Sequence, residues 1–201
     1  MYKSLTKKQK RHVYVSSIEE AENIGIIFNA THTVNYEIIK GLVKELHNKD
    51  ISVTTLGFVD SNNLIDHYLI RKGFDFFTHK NLNWYYRPVG EKINEFIKQE
   101  FDILINLSLE KFLPLDFIIL ESRAKFKVGK MFEDHSAVDM MIDTSKEIEN
   151  ISILNKEIRK ERSENGEAHE ENEELNEKSN NEIQLNFLIH QILYYLQMIK
   201  H

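Results

Sequence analysis

Hydrophobic positions follow two rhythms along this chain. Short unbroken runs, Ile24-Gly25-Ile26-Ile27-Phe28 and the stretch 102–107 with Ile103, Leu104 and Ile105, suit strands buried on both faces. The stretch 51–59, rich in β-branched residues, and the shorter runs 74–78, 125–129 and 138–142 predict further strands. Between these runs the spacing turns helical. Ile39, Leu42, Val43 and Leu46 stand at i, i+3, i+4 and i+7, a stripe that Asn48 and Asp50 end. A second helix carries Leu64, Ile65, Tyr68 and Leu69, with Asp60-Ser61-Asn62 as its cap and Gly73 at its end. A third is expected over 88–100, started by Pro88, with Val89, Ile93, Phe96 and Ile97 inward. Pro114 opens a fourth through Leu115, Ile118 and Ile119. The last covers 182–200, where Leu185, Leu188, Ile189, Ile192, Leu193, Leu196 and Ile199 make one broad face.

Parallel strands need long crossovers, usually helices, and right-handed crossovers put helices on both sides of a sheet. The pattern therefore predicts an α/β fold. The expected domain is three-layer αβα and Rossmann-like, with a mostly parallel sheet of five to six strands; 3-2-1-4-5-6 is the order such folds favour, though sequence alone does not fix it.

Charge divides the chain further. Residues 1–12 hold Lys3, Lys7, Lys8, Lys10 and Arg11 and no acid, whereas 156–182 hold ten acids against five bases. The segment 156–181 has Ile158 and Leu175 as its only large aliphatics, too little apolar surface to offset backbone ordering at about 1–2 kcal/mol per residue. The expected organisation is a basic arm or helix over 1–22, the Rossmann-like body over 23–155, a solvated acidic insert over 156–181 and a C-terminal helix over 182–201. A net charge of −6 excludes a globally basic nucleic-acid binder. With no cysteine, the 201 residues have no thiolate nucleophile and no Cys-ligated metal. No signal-peptide core and no membrane span are read, so a cytoplasmic location is expected.

Chemistry is sparse. The turn at 29–35 contains no glycine, so it lacks the spacing that lets backbone approach a pyrophosphate. No Gly-Lys-Ser/Thr triplet, no HExxH and no Gly-x-Ser-x-Gly elbow occurs. No cofactor and no metal is expected, and Asp66-His67 and Glu133-Asp134-His135 are weak ligand sets.

Ligands of open α/β sheets sit beyond the strand carboxyl ends at the switch point. There Thr31, His32 and Thr33 meet a helix start, and Asn106 and Ser108 leave the fourth strand. Lys130 is an anion partner nearby. Thr33 or Asn35 has a plainer reading as the helix N-cap. The segment 80–88 gathers Trp84, Tyr85 and Arg87, residue types enriched at recognition surfaces. Trp84 and Tyr85 can equally cap the sheet edge as satellite core. With Lys7, Lys8, Lys10 and Arg11 they are the candidate partner contacts, for protein or RNA. Tyr194 and Tyr195 widen the last helix toward homodimerisation.

Two resemblances add to this reading. The stretches 23–60 and 101–130, with Asp102, Ala124 and Gly129, resemble the N-terminal half of heptosyltransferase-type GT-B glycosyltransferases. That likeness implies a nucleotide-sugar fold, but the first turn lacks the acid those enzymes use there. The runs RKGFDFFTHKNLNWY (71–85), EFDILINLSLEKFLPLDFI (100–118) and AKFKVGK (124–130) resemble a domain-of-unknown-function family of short Bacteroidetes proteins. That resemblance implies a Rossmann-like domain and supplies no activity. The resulting expectation is a non-catalytic interaction module. The alternative is an enzyme or binder for a nucleotide or nucleotide sugar.

Overall fold

The computed structural model describes residues 11–64, 73–133, 137–150, 153 and 171–200, with the side chains of 171–178 left aside. Six strands form one sheet: β1 (Asn23–Asn29), β2 (Ser52–Phe58), β3 (Phe74–Phe77), β4 (Ile103–Asn106), β5 (Phe126–Lys130) and β6 (Met140–Ile142). Their order is β3-β2-β1-β4-β5-β6 and every pairing is parallel. This is a Rossmann-like three-layer arrangement, with the switch point between β1 and β4.

Strand alternation supplies both cores. Ile24, Ile26 and Phe28 of β1 face a layer holding α1 (Thr33–His47) and the final helix α4 (Glu171–Met198). Ile27 faces the opposite layer, with α2 (Glu91–Lys98) and α3 (Leu113–Glu121). Gly25 is required on that second face. A Cβ there would stand 2.7 Å from the fully buried ring of Phe101.

Several boundaries move from their expected places. Helix α2 starts at Glu91 rather than near Pro88, because Pro88 is drawn into an antiparallel bridge with Leu82. Val89 is consequently exposed. The cap of α1 is His32, not Thr33 or Asn35, and its side chain makes no capping hydrogen bond. Helix α4 begins at Glu171, inside the segment expected as a solvated loop with fraying helical turns at its ends. Glu, Leu and Lys form helix readily without a core to bury, so a polar composition excludes packing there but not helix. The broad face of α4 docks as expected, with Leu185, Leu188, Ile192 and Leu196 buried. The expected helix through Ile65, Tyr68 and Leu69, and most of the insert before 171, lie outside the described residues.

The amino edge of the sheet is fastened by charge. Asp102 accepts from the Glu22 and Asn23 backbone N–H groups at 3.0 and 3.1 Å and from Lys125 Nζ at 2.7 Å. Next to it, Lys127 is 2% exposed within β5, and its ammonium donates to the Ile119 carbonyl. Burial, with Arg11 nearby, pushes its pKa down to about 8, and Asp139 only partly opposes this.

Candidate functional site

The carboxyl edge brings together the turns after β1 and β4. Asn29 Oδ1 accepts from the Thr31 N–H at 2.9 Å, which folds the chain sharply into α1. Asn35, in the first turn of α1, donates through Nδ2 to the Asn29 carbonyl at 3.1 Å. Its Oδ1 is buried and has no partner. On the β4 side, Asn106 Oδ1 accepts from the Ser108 N–H at 3.1 Å, and both residues are buried. Ser108 Oγ is also buried without a partner. His32 and Thr33 are exposed at the start of α1, whose first turn holds no acid.

Lys130, at the end of β5, donates from Nζ to the Leu109 carbonyl at 2.7 Å and so reaches the β4 turn. Its ammonium lies 5.6 Å from the Phe132 ring centre. Burial holds its pKa below the ordinary lysine value, with Glu110 opposing. The side chain also walls a concavity of about 580 Å³ beyond β5 and β6. This hollow, walled by described residues, lies to one side of the β1/β4 switch.

A group that the sequence reading treated only as a helix cap sits at the other side. The Asp60 carboxylate is hydrogen-bonded to His79 Nε2, and the Asp60 N–H donates to Thr31 Oγ1 at 2.9 Å. His79 stacks on Phe58, ring centres 5.8 Å apart. The two residues are nineteen positions apart in sequence and come together only because β2 and β3 are neighbours.

The connection from β3 to α2 forms a rigid tip. Asn83 Oδ1 accepts from the backbone N–H of Tyr85 at 3.2 Å and of Arg87 at 3.0 Å, and the Asn83 N–H donates to the Arg87 carbonyl. Tyr86 is held at φ 63°, in the left-handed region. On this frame Trp84 is 88% exposed and meets the Tyr85 ring edge-on at 4.4 Å. Leu82, not Trp84, packs on the core here. Arg87 pairs with Glu121 at the end of α3, 2.9 Å away.

A family model described as a family of unknown function, DUF6913, matches residues 1–160. The chain belongs to the DUF6913 family. Comparison with curated proteins and with solved structures gives no match. The DUF6913 match includes all six strands, the carboxyl edge and the aromatic tip. It ends before α4, although α4 supplies Leu185, Leu188, Ile192 and Leu196 to the core.

The remaining candidates separate. Lys7, Lys8 and Lys10 lie outside the described residues. Arg11 is committed to the fold, since its guanidinium pairs with Asp139 and donates to the Ala124 and Lys125 carbonyls at 3.1 and 2.9 Å. Residues 16–18 are buried, and Ile18 N–H donates to the Leu196 carbonyl, so this part of the expected arm is docked. Asp134 and His135 lie outside the described residues, and among those described no three acids or histidines gather as metal ligands. No described helix is long and apolar enough to cross a membrane.

Proposed function

We propose that this DUF6913 protein is an interaction module that docks a protein partner on the Trp84 tip. The observation that carries the reading is a tryptophan left 88% exposed on a turn braced by Asn83. Large aromatics are costly to leave in water, and a preformed turn spares the ordering cost of binding. Aromatic side chains so presented are typical anchors of recognition surfaces. A protein suits the surface better than RNA. Arg87 is paired with Glu121, Lys80 donates to Asn63 and Lys92 pairs with Asp75, so the cations around the tip are engaged. RNA binding needs free cations along a phosphate track.

A photo-crosslinking residue at position 85 of the full chain, used in the native cell, tests this. A discrete protein adduct is expected, and Trp84→Ala should weaken its purified complex by at least about 30-fold, as for an anchor worth about 2 kcal/mol. An adduct with RNA, or equal affinity of the alanine variant, would overturn the reading.

The unpartnered Asn35 Oδ1 and Ser108 Oγ favour a second reading, a small polar ligand at the switch point. The N–H groups opening α1 suit its anionic end. A nucleotide or nucleotide sugar is the class suggested by the GT-B resemblance. Uridine diphosphate and its glucose conjugate are suitable probes in a thermal melt. A ligand at about 100 times its Kd adds about 2.7 kcal/mol of stability. The shift should vanish when Thr31 and Ser108 are both replaced by alanine, and no shift with either probe would count against this reading.

A further inference from the structure

The hollow beyond β5 and β6 is an open concavity with a largely apolar wall. Its volume of about 580 Å³ falls within the usual range for small-molecule sites, roughly 300–1,000 Å³. Much of its wall is apolar, from Met131, Phe132, Met141 and Ile148. Lys130 is the only cation among the lining residues described. Its ammonium has three N–H donors, and the Leu109 carbonyl takes one. Among the described residues no carboxylate lies within ion-pairing distance of it.

The acids of the wall are placed differently. Asp143 accepts from the Ser145 N–H at 2.9 Å, and the Ser145 hydroxyl and N–H together hold its pKa below the ordinary value. Glu133 is exposed. The half-buried ammonium thus has spare donors, while one lining carboxylate, Asp143, already serves a backbone turn.

We infer that this hollow binds a small organic carboxylate with an apolar body, its carboxylate on Lys130 and its body against Met131, Phe132, Met141 and Ile148. A carboxylate there would form charge-assisted hydrogen bonds with the free Lys130 donors. The lowered pKa of Lys130, caused by burial, accords with an ammonium awaiting an anion. This site does not rest on the Trp84 tip, and it asks nothing of the turns at Thr31 or Ser108.

The test uses the full chain and two probes of equal shape and opposite charge, 3-phenylpropionate and phenethylamine. Binding is read from amide chemical-shift changes in nuclear magnetic resonance titrations. Phenylpropionate should saturate with shifts centred on 130–133 and 141–148, and phenethylamine should not. Lys130→Met keeps the apolar stem and should weaken phenylpropionate at least tenfold. Ile148→Trp, on the half-exposed wall, should block it by filling the hollow. Circular dichroism and melting of both variants establish that each is folded. Saturation by the amine at equal or lower concentration, no saturation by the acid, or unchanged affinity in a folded Lys130→Met chain would each overturn the inference.

Discussion

Replacing Asp102 by alanine is expected to lower the unfolding free energy by about 3 kcal/mol, the range for removing a multiply bonded, partly buried charge. The carboxylate stands where β1 and β4 begin. It takes the N–H groups of Glu22 and Asn23, the Asn23 side-chain amide at 3.1 Å and the Lys125 ammonium. Truncation removes the acceptor of the part-buried Asn23 donors at the start of the two central strands, while the exposed Glu22 N–H and Lys125 ammonium turn to water. Burial alone would raise the Asp102 pKa, but donation from Lys125 and from the Asn23 and Glu22 backbone outweighs it, and the net shift is downward. The folded chain therefore holds this carboxylate charged more strongly than the unfolded chain does. The resulting stability is complete above the unfolded value of 3.8 and is lost as pH falls through the lower folded value. Urea unfolding of the wild type and of Asp102→Ala at pH 7 and at steps toward pH 2 checks this. The gap between them should be widest at neutral pH and should close in acid. Equal stability at pH 7 would show that the carboxylate fastens nothing.

The second large effect has the opposite sign. Lys127→Met should stabilise the protein at pH 7 by about 1–3 kcal/mol, because the ammonium is almost wholly buried in β5 and pairs with a carbonyl rather than a carboxylate. Arg11 adds like charge close by. Below pH 8 the amine is protonated in folded and unfolded chains alike, so the burial cost is present in full. Between about 8 and 10.5 the folded chain releases the proton first, and stability rises with pH. That rise is on the order of 3 kcal/mol for a shift of this size. Subtracting the pH profile of Lys127→Met from that of the wild type isolates it from tyrosines and other lysines. A flat difference from pH 7 to 10.5 would mean that Lys127 is solvated in the folded chain.

The architecture was readable because the central strands β1, β4 and β5 are buried on both faces and the helices between the strands bury apolar residues against the sheet. Ile24 to Phe28, Ile103 to Ile105 and the Leu185–Leu196 face have one economical arrangement, a parallel sheet between two helical layers. The strand order was expected only by analogy with doubly wound folds, because the sequence alone does not fix it, and the observed order agrees with that analogy. What escaped was contact between distant residues. Arg11 and Asp139 meet across 128 positions, and neither local spacing nor composition signals it. The Asp60–His79 pair is hidden for the same reason, because Asp60 fits a cap locally and is claimed globally by the turn that follows the neighbouring strand β3. Lys127 was passed over because a lysine in a short strand ordinarily points to solvent, and only the closing of α3 above it removes the water. The exposed state of Trp84 was undecidable from residue type, since tryptophan serves cores and surfaces equally well. The bracing by Asn83 settles its exposure through backbone hydrogen bonds that composition does not display.

The docking of α4 bears on how the polypeptide is made. Leu196 receives the N–H of Ile18, so the first docked turn and the last helix close against each other. Ribosomal synthesis delivers Ile24, Ile26 and Phe28 long before the leucines that cover them. Until α4 emerges, α1 alone of the described helices covers that side of the sheet, and the part that Leu185, Leu188, Ile192 and Leu196 later seal stays open to water.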